Sequence, residues 1–442
     1  MESEQIPEKW GLSHIILLYK KGNPQEVGNY RPISLLSTIY KLFSSILLNR
    51  IALDIDKNQP TEQAGFRPSY STIDHIHTVD QLMERYQEFN KPLYIGFVDY
   101  TKAFDSITHT SIWKALKNNN IHEKYIQIIK SVYSKSKSRI KLESTGKEFP
   151  VERGVKQGDP LSPKLFIAVL QNIFQNIDWA NKGVCVNNRR LTHLRFADDI
   201  AIFSESPKEL EIMLQNLASE SKKVGLDMNT NKTKIMTNHT QTPINVEGKT
   251  IEYVKEYIYL GKLMSFDTNR NEKEVDRRIN ISWKKYWAQK EILKGNHSLR
   301  LKKVVMDSCI LPSLTYASQT WTFTNKIKNK ILSCQHAMER SILQLRRIDK
   351  VRNVDIRNKT KLKDALQYAM SSKWKWAGHL ARYQDKRWTL QIMKWQGPAG
   401  KRKKGRQRKR WADDIVKTAG NNWMGTAQDK KLWKEMEEAF HP

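Results

Sequence analysis

The chain has 442 residues, 39% of them hydrophobic, with 76 Lys and Arg against 46 Asp and Glu for a formal charge of +30; this is length for about three domains and a field suited to a polyanionic partner. Its three cysteines, Cys185, Cys309 and Cys334, are too far apart for a paired zinc motif and odd in number, which argues against a disulfide framework. No apolar run is long enough for a membrane span, and Met1-Glu2-Ser3-Glu4-Gln5 lacks the start of a signal peptide, so an intracellular protein, nuclear or cytoplasmic and without a membrane partner, is expected.

Apolar pairs at Leu35-Leu36, Ile39-Tyr40, Leu42-Phe43 and Ile46-Leu47, then Ile51, recur at three- and four-residue steps and predict an amphipathic helix. Leu93 to Val98 is a short β-rich run ending at Asp99. Ser162-Pro163 opens a helix with Leu165, Phe166, Val169, Leu170 and Ile173 on one face, Ser as N-cap and Pro at the first helical position. Leu191 to Arg195 and Ile200 to Phe203 are two further strands, separated by Phe196-Ala197-Asp198-Asp199, which reads as a tight hairpin turn. Ser206 to Glu209 has capping-box spacing and begins a helix that ends near Gly225. Beyond about residue 270 the pattern is mostly helical, and no internal repeat is evident.

The charge is uneven. Residues 1–270 hold 36 basic and 30 acidic side chains, residues 271–442 hold 40 and 16, and ten of the 13 Trp lie in the second stretch. Interleaved aromatic rings and cations suit base stacking with phosphate neutralisation, although a helical domain with Trp in its core and a solvated basic face has the same composition. Lys401 to Arg410 has eight basic residues in ten and no acid. It is expected to be extended or loop-like, as a nucleic-acid arm, a nuclear localisation signal or a solvated loop.

Asp99 at one strand end and Asp198-Asp199 at another supply hard oxygen donors of the kind that hold two Mg2+ ions for in-line attack on a triphosphate. An isolated Asp-Asp pair is a weak signal, because turns favour Asp. The strings around these residues are more specific. Phe97-Val98-Asp99-Tyr100-Thr101-Lys102-Ala103-Phe104-Asp105, Gln157-Gly158-Asp159-Pro160-Leu161-Ser162-Pro163 and Phe196-Ala197-Asp198-Asp199 occur in that order and together resemble motifs A, B and C of reverse transcriptases. Upstream lie Asn29-Tyr30-Arg31-Pro32-Ile33-Ser34-Leu35-Leu36 and Gln63-Ala64-Gly65-Phe66-Arg67-Pro68; downstream lie Gly225-Leu226 through Asn229, Lys232 and Thr233, then Tyr259-Leu260-Gly261. The whole, about residues 6 to 265, is similar to the non-LTR, LINE-type retrotransposon enzymes. The strings Lys373 to Leu380 and Gly405 to Asp414 look, less specifically, like the C-terminal region of such elements.

The resemblance implies a right-hand polymerase: α+β fingers and palm with an antiparallel palm sheet over residues 1–265, a helical thumb over 266–345 and a basic, Trp-rich nucleic-acid-binding region over 346–442. It implies RNA-directed DNA synthesis, with an RNA template, a DNA primer and deoxynucleoside triphosphates as partners and the element's own RNA as one candidate template. Asp99, Asp198 and Asp199 would hold two Mg2+ ions. Lys232 would protonate the leaving pyrophosphate, with Lys234 near enough to compete for the role. Phe104 would lie under the sugar and collide with a ribose 2′-hydroxyl, or else be a core ring. Tyr100, Gln157 and Gly158 join it in the implied nucleotide site, Gly158 by allowing close backbone approach and Gln157 with a loop-stabilising amide as its alternative. Arg31 and Arg67 would bind triphosphate or template phosphates, or pair with surface carboxylates. Tyr259, Leu260 and Gly261 would be a primer grip, or a plain hairpin turn.

Arg277, Arg278, Lys284 and Lys285 would touch duplex phosphates from the thumb. Trp374, Trp376, Trp388, Trp395 and Trp411 would suit stacking on single strands, with Lys401, Arg402, Lys403, Lys404, Arg406, Arg408, Lys409 and Arg410 as phosphate contacts. No endonuclease is evident: little precedes Ile6-Pro7 and Trp10, and His336 and His379 lack nearby paired cysteines. The chain therefore reads as a truncated open reading frame. Its rival readings are a catalytically inactive nucleic-acid-binding remnant and an RNA-directed RNA polymerase, the latter disfavoured by Phe104 and by Phe196-Ala197 before Asp198.

Overall fold

The structure, a computed structural model, describes residues 6–20, 22–402, 404–405 and 408–440. The chain divides into two compact units, Met1–Thr72 with Lys91–Val254, and Ile73–Asn90 with Lys255–Pro442.

In the first unit β1 (Leu12–Tyr19) and β2 (Tyr30–Leu35) run antiparallel, Leu17 opposite Pro32. Leu35 ends β2, so the predicted helix starts later, as α1 (Thr38–Lys57), with Ser37 Oγ accepting the Tyr40 N–H at 3.1 Å. Tyr40, Ser44, Leu47, Ile51 and Ile55 form its buried face, while Ile39, Leu42, Ile46 and Leu53 are exposed. The apolar pairs thus serve two faces, of which one is in the core.

After α2 (Thr72–Glu88), almost all of which belongs to the second unit, comes β3 (Tyr94–Val98), buried at every position. A strand without a polar face belongs in the middle of a covered sheet. The short helices α3 (Ala103–Ser106), α4 (His109–Asn118) and α5 (Glu123–Ser134) lead to β4 (Lys137–Ile140) and β5 (Phe149–Pro150), which complete a sheet in the order β2-β1-β4-β5. The helix α6 (Ser162–Gln175) is buried from Ser162 to Phe174 at every position but Pro163, so it is a core helix rather than a surface one. Pro163 lies in its first turn as expected, but Ser162 is not the cap. Asp159 Oδ1 accepts the Leu161 N–H at 3.1 Å and its carbonyl accepts the Ser162 N–H at 3.2 Å, so the preceding acid does that work.

The hairpin β6 (Val184–Val186) and β7 (Arg189–Leu191) precedes β8 (His193–Phe196) and β9 (Asp199–Ser204). In α7 (Pro207–Lys222) the expected capping box does not form: Ser206 makes no side-chain cap bond, and Glu209 accepts instead from Ser204 Oγ at 2.5 Å and the Gly183 N–H at 3.3 Å. The remaining strands are β10 (Lys234–Thr237), β11 (Asn245–Val246), β12 (Lys249–Thr250) and β13 (Glu252–Tyr253). The central sheet has the order β13-β10-β3-β9-β8, with β3 antiparallel to both neighbours. Leu165, Phe166 and Leu170 of α6 and Leu210, Leu214 and Leu217 of α7 share one core with Ile200 and Ile202 of β9.

The second unit joins α2 to β14 (Glu256–Tyr259), β15 (Lys262–Ser265), α8 (Arg270–Ala288) and the helices Asn325–Ile342 and Ala365–Ala381. Buried Asp80 of α2 receives Lys262 Nζ at 2.7 Å and Arg270 Nε at 3.1 Å; burial raises its pKa, but these two cations outweigh burial and hold it below the ordinary value. His77 of the same helix packs edge-on against Trp376 and Trp411. These contacts place residues 73–90 here, whereas the sequence reading ran its first domain unbroken to 265. Residues on both sides of position 345, from Val275 to Phe440, share one hydrophobic core.

That core also corrects the reading of the Trp residues. Trp374, Trp376, Trp388, Trp395 and Trp411 are all buried, and Trp374 stacks on Trp433 with centroids 3.9 Å apart. Trp374, Trp376 and Trp388 lie on buried faces of helices, and Trp395 and Trp411 are buried just outside helices, so none of the five lines a stacking platform. Even Lys373 is inside, its Nζ donating to the carbonyls of Trp321 at 2.9 Å and Trp411 at 2.7 Å. Among the described residues no helix is long and apolar enough to cross a membrane.

Candidate active site

In the first unit β3 pairs with β9 so that Val98 lies opposite Ile200, and β8 pairs with β9 so that Phe196 lies opposite Asp199. Asp99 follows Val98 and Asp199 precedes Ile200. The antiparallel register therefore sets both carboxylates at the same end of adjacent strands. Ala197-Asp198 is the two-residue turn, with Ala197 at φ +56°, a region that residues other than Gly enter rarely. Asp199 itself is the first residue of β9, so the turn carries one of the two adjacent acids and the strand the other.

Asp99 is held by the segment Asn229–Thr233. Its carbonyl accepts the Asn229 N–H at 2.8 Å, and its N–H donates to Thr233 Oγ1 at 3.3 Å. The turn returns Lys232 so that Nζ stands 3.9 Å from Asp99 Oδ2. Lys234 points elsewhere, donating to Glu252 Oε2 at 2.5 Å and the Asn231 carbonyl at 2.6 Å. Of the two lysines, Lys232 is the one that faces the carboxylates.

Burial pushes the Asp99 carboxyl upward against Lys232 and Lys20. Burial also raises Asp198, with Asp99 adding to it while Arg31 and Lys20 oppose. Asp199 reaches solvent on one side, yet enough protein surrounds its carboxyl that burial, then Asp198 and Asp99, push it up to about 6. The three acids thus repel one another. Burial first, then Arg31 and Lys232, lower Lys20 in turn, while Asp198 and Asp99 oppose. Lys20, Arg31 and Lys232 are a cationic set within electrostatic reach of the acids. Sequence reasoning missed Lys20, which stands one residue past β1 and belongs to no motif.

The implied nucleotide residues divide. Phe104 is half-buried and stacks on Phe166 of α6, centroids 4.4 Å apart and planes 12° apart, so its ring is held rigidly. Gln157 Nε2 donates to Asp105 Oδ1 at 2.9 Å, and its carbonyl accepts the Ser34 N–H at 2.8 Å. Gly158, at φ +116°, comes so close to β2 that a Cβ would lie 2.7 Å from the Ser34 carbonyl oxygen. Asp159, passed over in the sequence, anchors this loop to α1: Tyr40 Oη donates to Oδ2 at 2.5 Å and Ser44 Oγ to Oδ1. Tyr100 is a correction. Its ring is buried and its hydroxyl lies 2.7 Å from Ser221 Oγ, so the side chain belongs to the core and cannot meet a nucleotide. Arg67 is another: Nη1 donates to the carbonyls of Pro60 at 2.6 Å and Gln63 at 2.9 Å, and the guanidinium lies over the Tyr70 ring, so it braces its own loop.

In the second unit Tyr259-Leu260-Gly261 closes β14 on β15 with Leu260 at φ +46° and Gly261 at φ +84°. The Leu260 carbonyl accepts Tyr316 Oη at 2.7 Å, and the Gly261 carbonyl accepts Arg277 and Arg278. Those two arginines also pair with buried Glu274, so they brace the hairpin instead of facing a duplex; Lys284 and Lys285 are exposed. The basic run is not a loose arm throughout. Arg402 and Arg410 pair with Glu88 at 2.9 and 2.6 Å, and Lys409 pairs with Asp414. Lys401, Lys404 and Arg408 are exposed, and Lys403 and Arg406 lie outside the described residues.

Among the described residues no three carboxylate, His or Cys groups are gathered tightly enough to grip a metal ion. The chemistry of the site nonetheless fits a divalent cation. Asp99 Oδ2 is a buried atom with no hydrogen-bond donor, and a cation held by Asp99, Asp198 and Asp199 would offset both the burial and the mutual repulsion that raise Asp199.

Residues 19–263, more than half of the chain, match the family model described as reverse transcriptase (RNA-dependent DNA polymerase). The chain is similar to a transposon-derived protein of Caenorhabditis elegans, 32% identical over 56% of this chain and 95% of that one. It is similar to the Pol polyprotein from the type-2 retrotransposable element R2DM of Drosophila melanogaster, 28% identical over 51% of this chain and 21% of that one. A protein of the same fly named as an RNA-directed DNA polymerase from transposon BS is 27% identical over 76% of this chain and 39% of its own length. The chain spans less than half of these two larger relatives.

Proposed function

We propose that this chain, which belongs to the reverse transcriptase (RNA-dependent DNA polymerase) family, extends a DNA primer on an RNA template, with Asp99, Asp198 and Asp199 as the carboxylates of its nucleotidyl-transfer site. The observation that carries the reading is the strand register, which brings Asp99 to the same sheet end as Asp198-Asp199. Lys232 stands beside Asp99, and Lys20 and Arg31 are within electrostatic reach. Two Mg2+ ions at these carboxylates would supply charge neutralisation of the triphosphate and activation of the primer 3′-hydroxyl.

The chain's own side chains do the rest. Lys20 and Arg31 neutralise triphosphate charge from the strand ends of β1 and β2. Lys232, a cation at 3.9 Å from Asp99 Oδ2, is placed to give a proton to the departing pyrophosphate. Phe104, fixed by its stack on Phe166, presents a rigid ring beneath the sugar and selects against a 2′-hydroxyl. Gln157 and Gly158, tied to Asp105 and β2, form the backbone wall beside it. Most of the acceleration in such a site comes from positioning and fixed charge.

Primer extension on an RNA template with deoxynucleotides and Mg2+ tests the reading, comparing the wild type with Asp198→Asn/Asp199→Asn. Extension by the wild type that the double variant lacks supports it. A folded wild type that binds the hybrid without extending it would instead mark a nucleic-acid-binding remnant.

A further inference from the structure

We infer that Gln63 is a positioning residue for the turn that carries Asp198: its buried amide oxygen receives the Ala197 N–H and holds the turn in its left-handed conformation. The geometry stands independently of the proposed activity, and the catalytic consequence rests on that reading.

An alanine at φ +56° persists only where its surroundings hold it. Here the surroundings are a strip of chain, residues 62–65, lying parallel to β8. Gln63 bridges Arg195 in the manner of a strand, the Arg195 N–H donates to the Glu62 carbonyl at 2.8 Å, and the Ala64 N–H donates to the Arg195 carbonyl at 2.9 Å. Gln63 is fully buried, and its Oε1 accepts two backbone donors, Gly65 N–H at 2.8 Å and Ala197 N–H at 3.2 Å. One side-chain oxygen therefore ties the strip to the turn. An apolar side chain of similar size would leave both N–H groups without this acceptor in the interior.

The strip presses directly on the turn. A Cβ on Gly65 would lie 2.3 Å from the Ala197 nitrogen, so no larger residue fits without moving it. Arg67 braces the strip from behind through the carbonyls of Pro60 and Gln63. On the other side of β8, buried Arg195 donates from Nη2 to Gln171 Oε1 at 2.8 Å and lies over the Phe174 ring of α6. The strand that leads into the turn is thus tied to α6 through Arg195, and the turn itself to the strip through Gln63. This gives the string Gln63 to Pro68 a task that nucleic-acid binding did not supply: it sets where Asp198 and Asp199 stand relative to Asp99.

The test uses the full chain as wild type, Gln63→Leu, Gln63→Glu and Arg67→Met. Hydrogen exchange of the peptide spanning residues 195–199 is measured beside hybrid affinity and the Mg2+ dependence of single-nucleotide addition. In Gln63→Leu the turn exchanges about tenfold faster or more, kcat falls by about 10- to 100-fold, and the Mg2+ midpoint rises. Hybrid Kd and nucleotide KM stay at wild-type levels. Gln63→Glu keeps an acceptor oxygen and restores most of the protection, and Arg67→Met shifts exchange in the same direction by less. Unchanged exchange at the turn in Gln63→Leu, or a Glu variant as unprotected as the Leu variant, overturns the inference. Should Gln63→Leu not fold, Arg67→Met decides by the same measurement, unchanged exchange counting against. Because exchange needs no catalysis, an inactive wild type would sink the polymerase reading while leaving this one to be judged on exchange alone.

Discussion

Lys232 Nζ stands 3.9 Å from Asp99 Oδ2, while Lys234, two residues further on, is engaged with Glu252 on the edge strand β13. Lys232 lies in the turn closed by its own N–H on the Asn229 carbonyl at 3.1 Å, whereas Lys234 is the first residue of β10 and its side chain is taken up by Glu252, so only Lys232 faces the carboxylates. With side chains 69% and 37% exposed, the Lys232–Asp99 pair contributes little to stability on its own. Its placement is the one that the proposed proton-donor role requires.

Replacing Lys232 with Ala should accordingly lower the single-turnover rate of nucleotide addition by about 10²- to 10⁴-fold with little change in melting temperature. Lys234→Ala should leave that rate within a few-fold of the wild type. Equal losses in the two variants would remove Lys232 from the proton-donor role.

The Asp199 carboxyl, raised from 3.8 to about 6, gives a pH signature. Because its folded pKa exceeds its unfolded one, the stability it contributes is complete below about pH 4 and is lost as pH rises through 6. Asp199→Asn should therefore be more stable than the wild type to urea above pH 6, with the difference vanishing near pH 4. Added Mg2+ at pH 7.5 should stabilise the wild type and not the variant. A difference independent of pH would mean that Asp199 titrates normally.

Phe104 offers a separable test of specificity. Phe104→Val should relax discrimination against ribonucleotides by about 10- to 100-fold in competition assays. Losing half of the Phe166 stack should cost about 1–2 kcal/mol of stability. Retained discrimination in a folded variant would assign the ring to the core alone.

Gly158→Ala combines a φ of +116° with a Cβ 2.7 Å from the Ser34 carbonyl. It should destabilise the fold by about 1–3 kcal/mol in urea titrations and separate the Gln157 loop from β2. A variant of wild-type stability would show that this approach is not tight in solution.

The C-terminal basic run should behave as two populations. Lys401→Ala/Lys404→Ala/Arg408→Ala removes exposed charges and should flatten the dependence of log K on log salt by about 2 to 3 for duplex DNA. Arg410→Ala, which strips Glu88 of a partner at 2.6 Å, should instead lower the melting temperature. An unchanged slope in the triple variant would rule out the run as a phosphate-binding segment.

The family of this protein and the carboxylates of the proposed site were legible in its sequence where short strings carry them. Asp99 after an unbroken apolar strand, Asp198-Asp199 between two more, and Pro163 opening a helix are local patterns, and local patterns survive without knowledge of the fold. The positive charge beyond residue 270 was likewise plain. What each cation or ring touches was not. Trp374 and Trp411 looked the same in the sequence whether stacked on bases or on other Trp residues, and burial decided for the core. Arg278 and Arg410 had partners 17 and 322 residues away, which no spacing rule connects. Lys20 came within electrostatic reach of the carboxylates through the placement of the end of β1, and Tyr100 left the site because its ring packs in the core with its hydroxyl on Ser221. Sequence by itself determined the family and the strands on which the three acids sit; the tertiary structure decided the other strands and which of the many charged and aromatic side chains remain available to a ligand, because availability is settled by distant packing and ion pairing rather than by residue type.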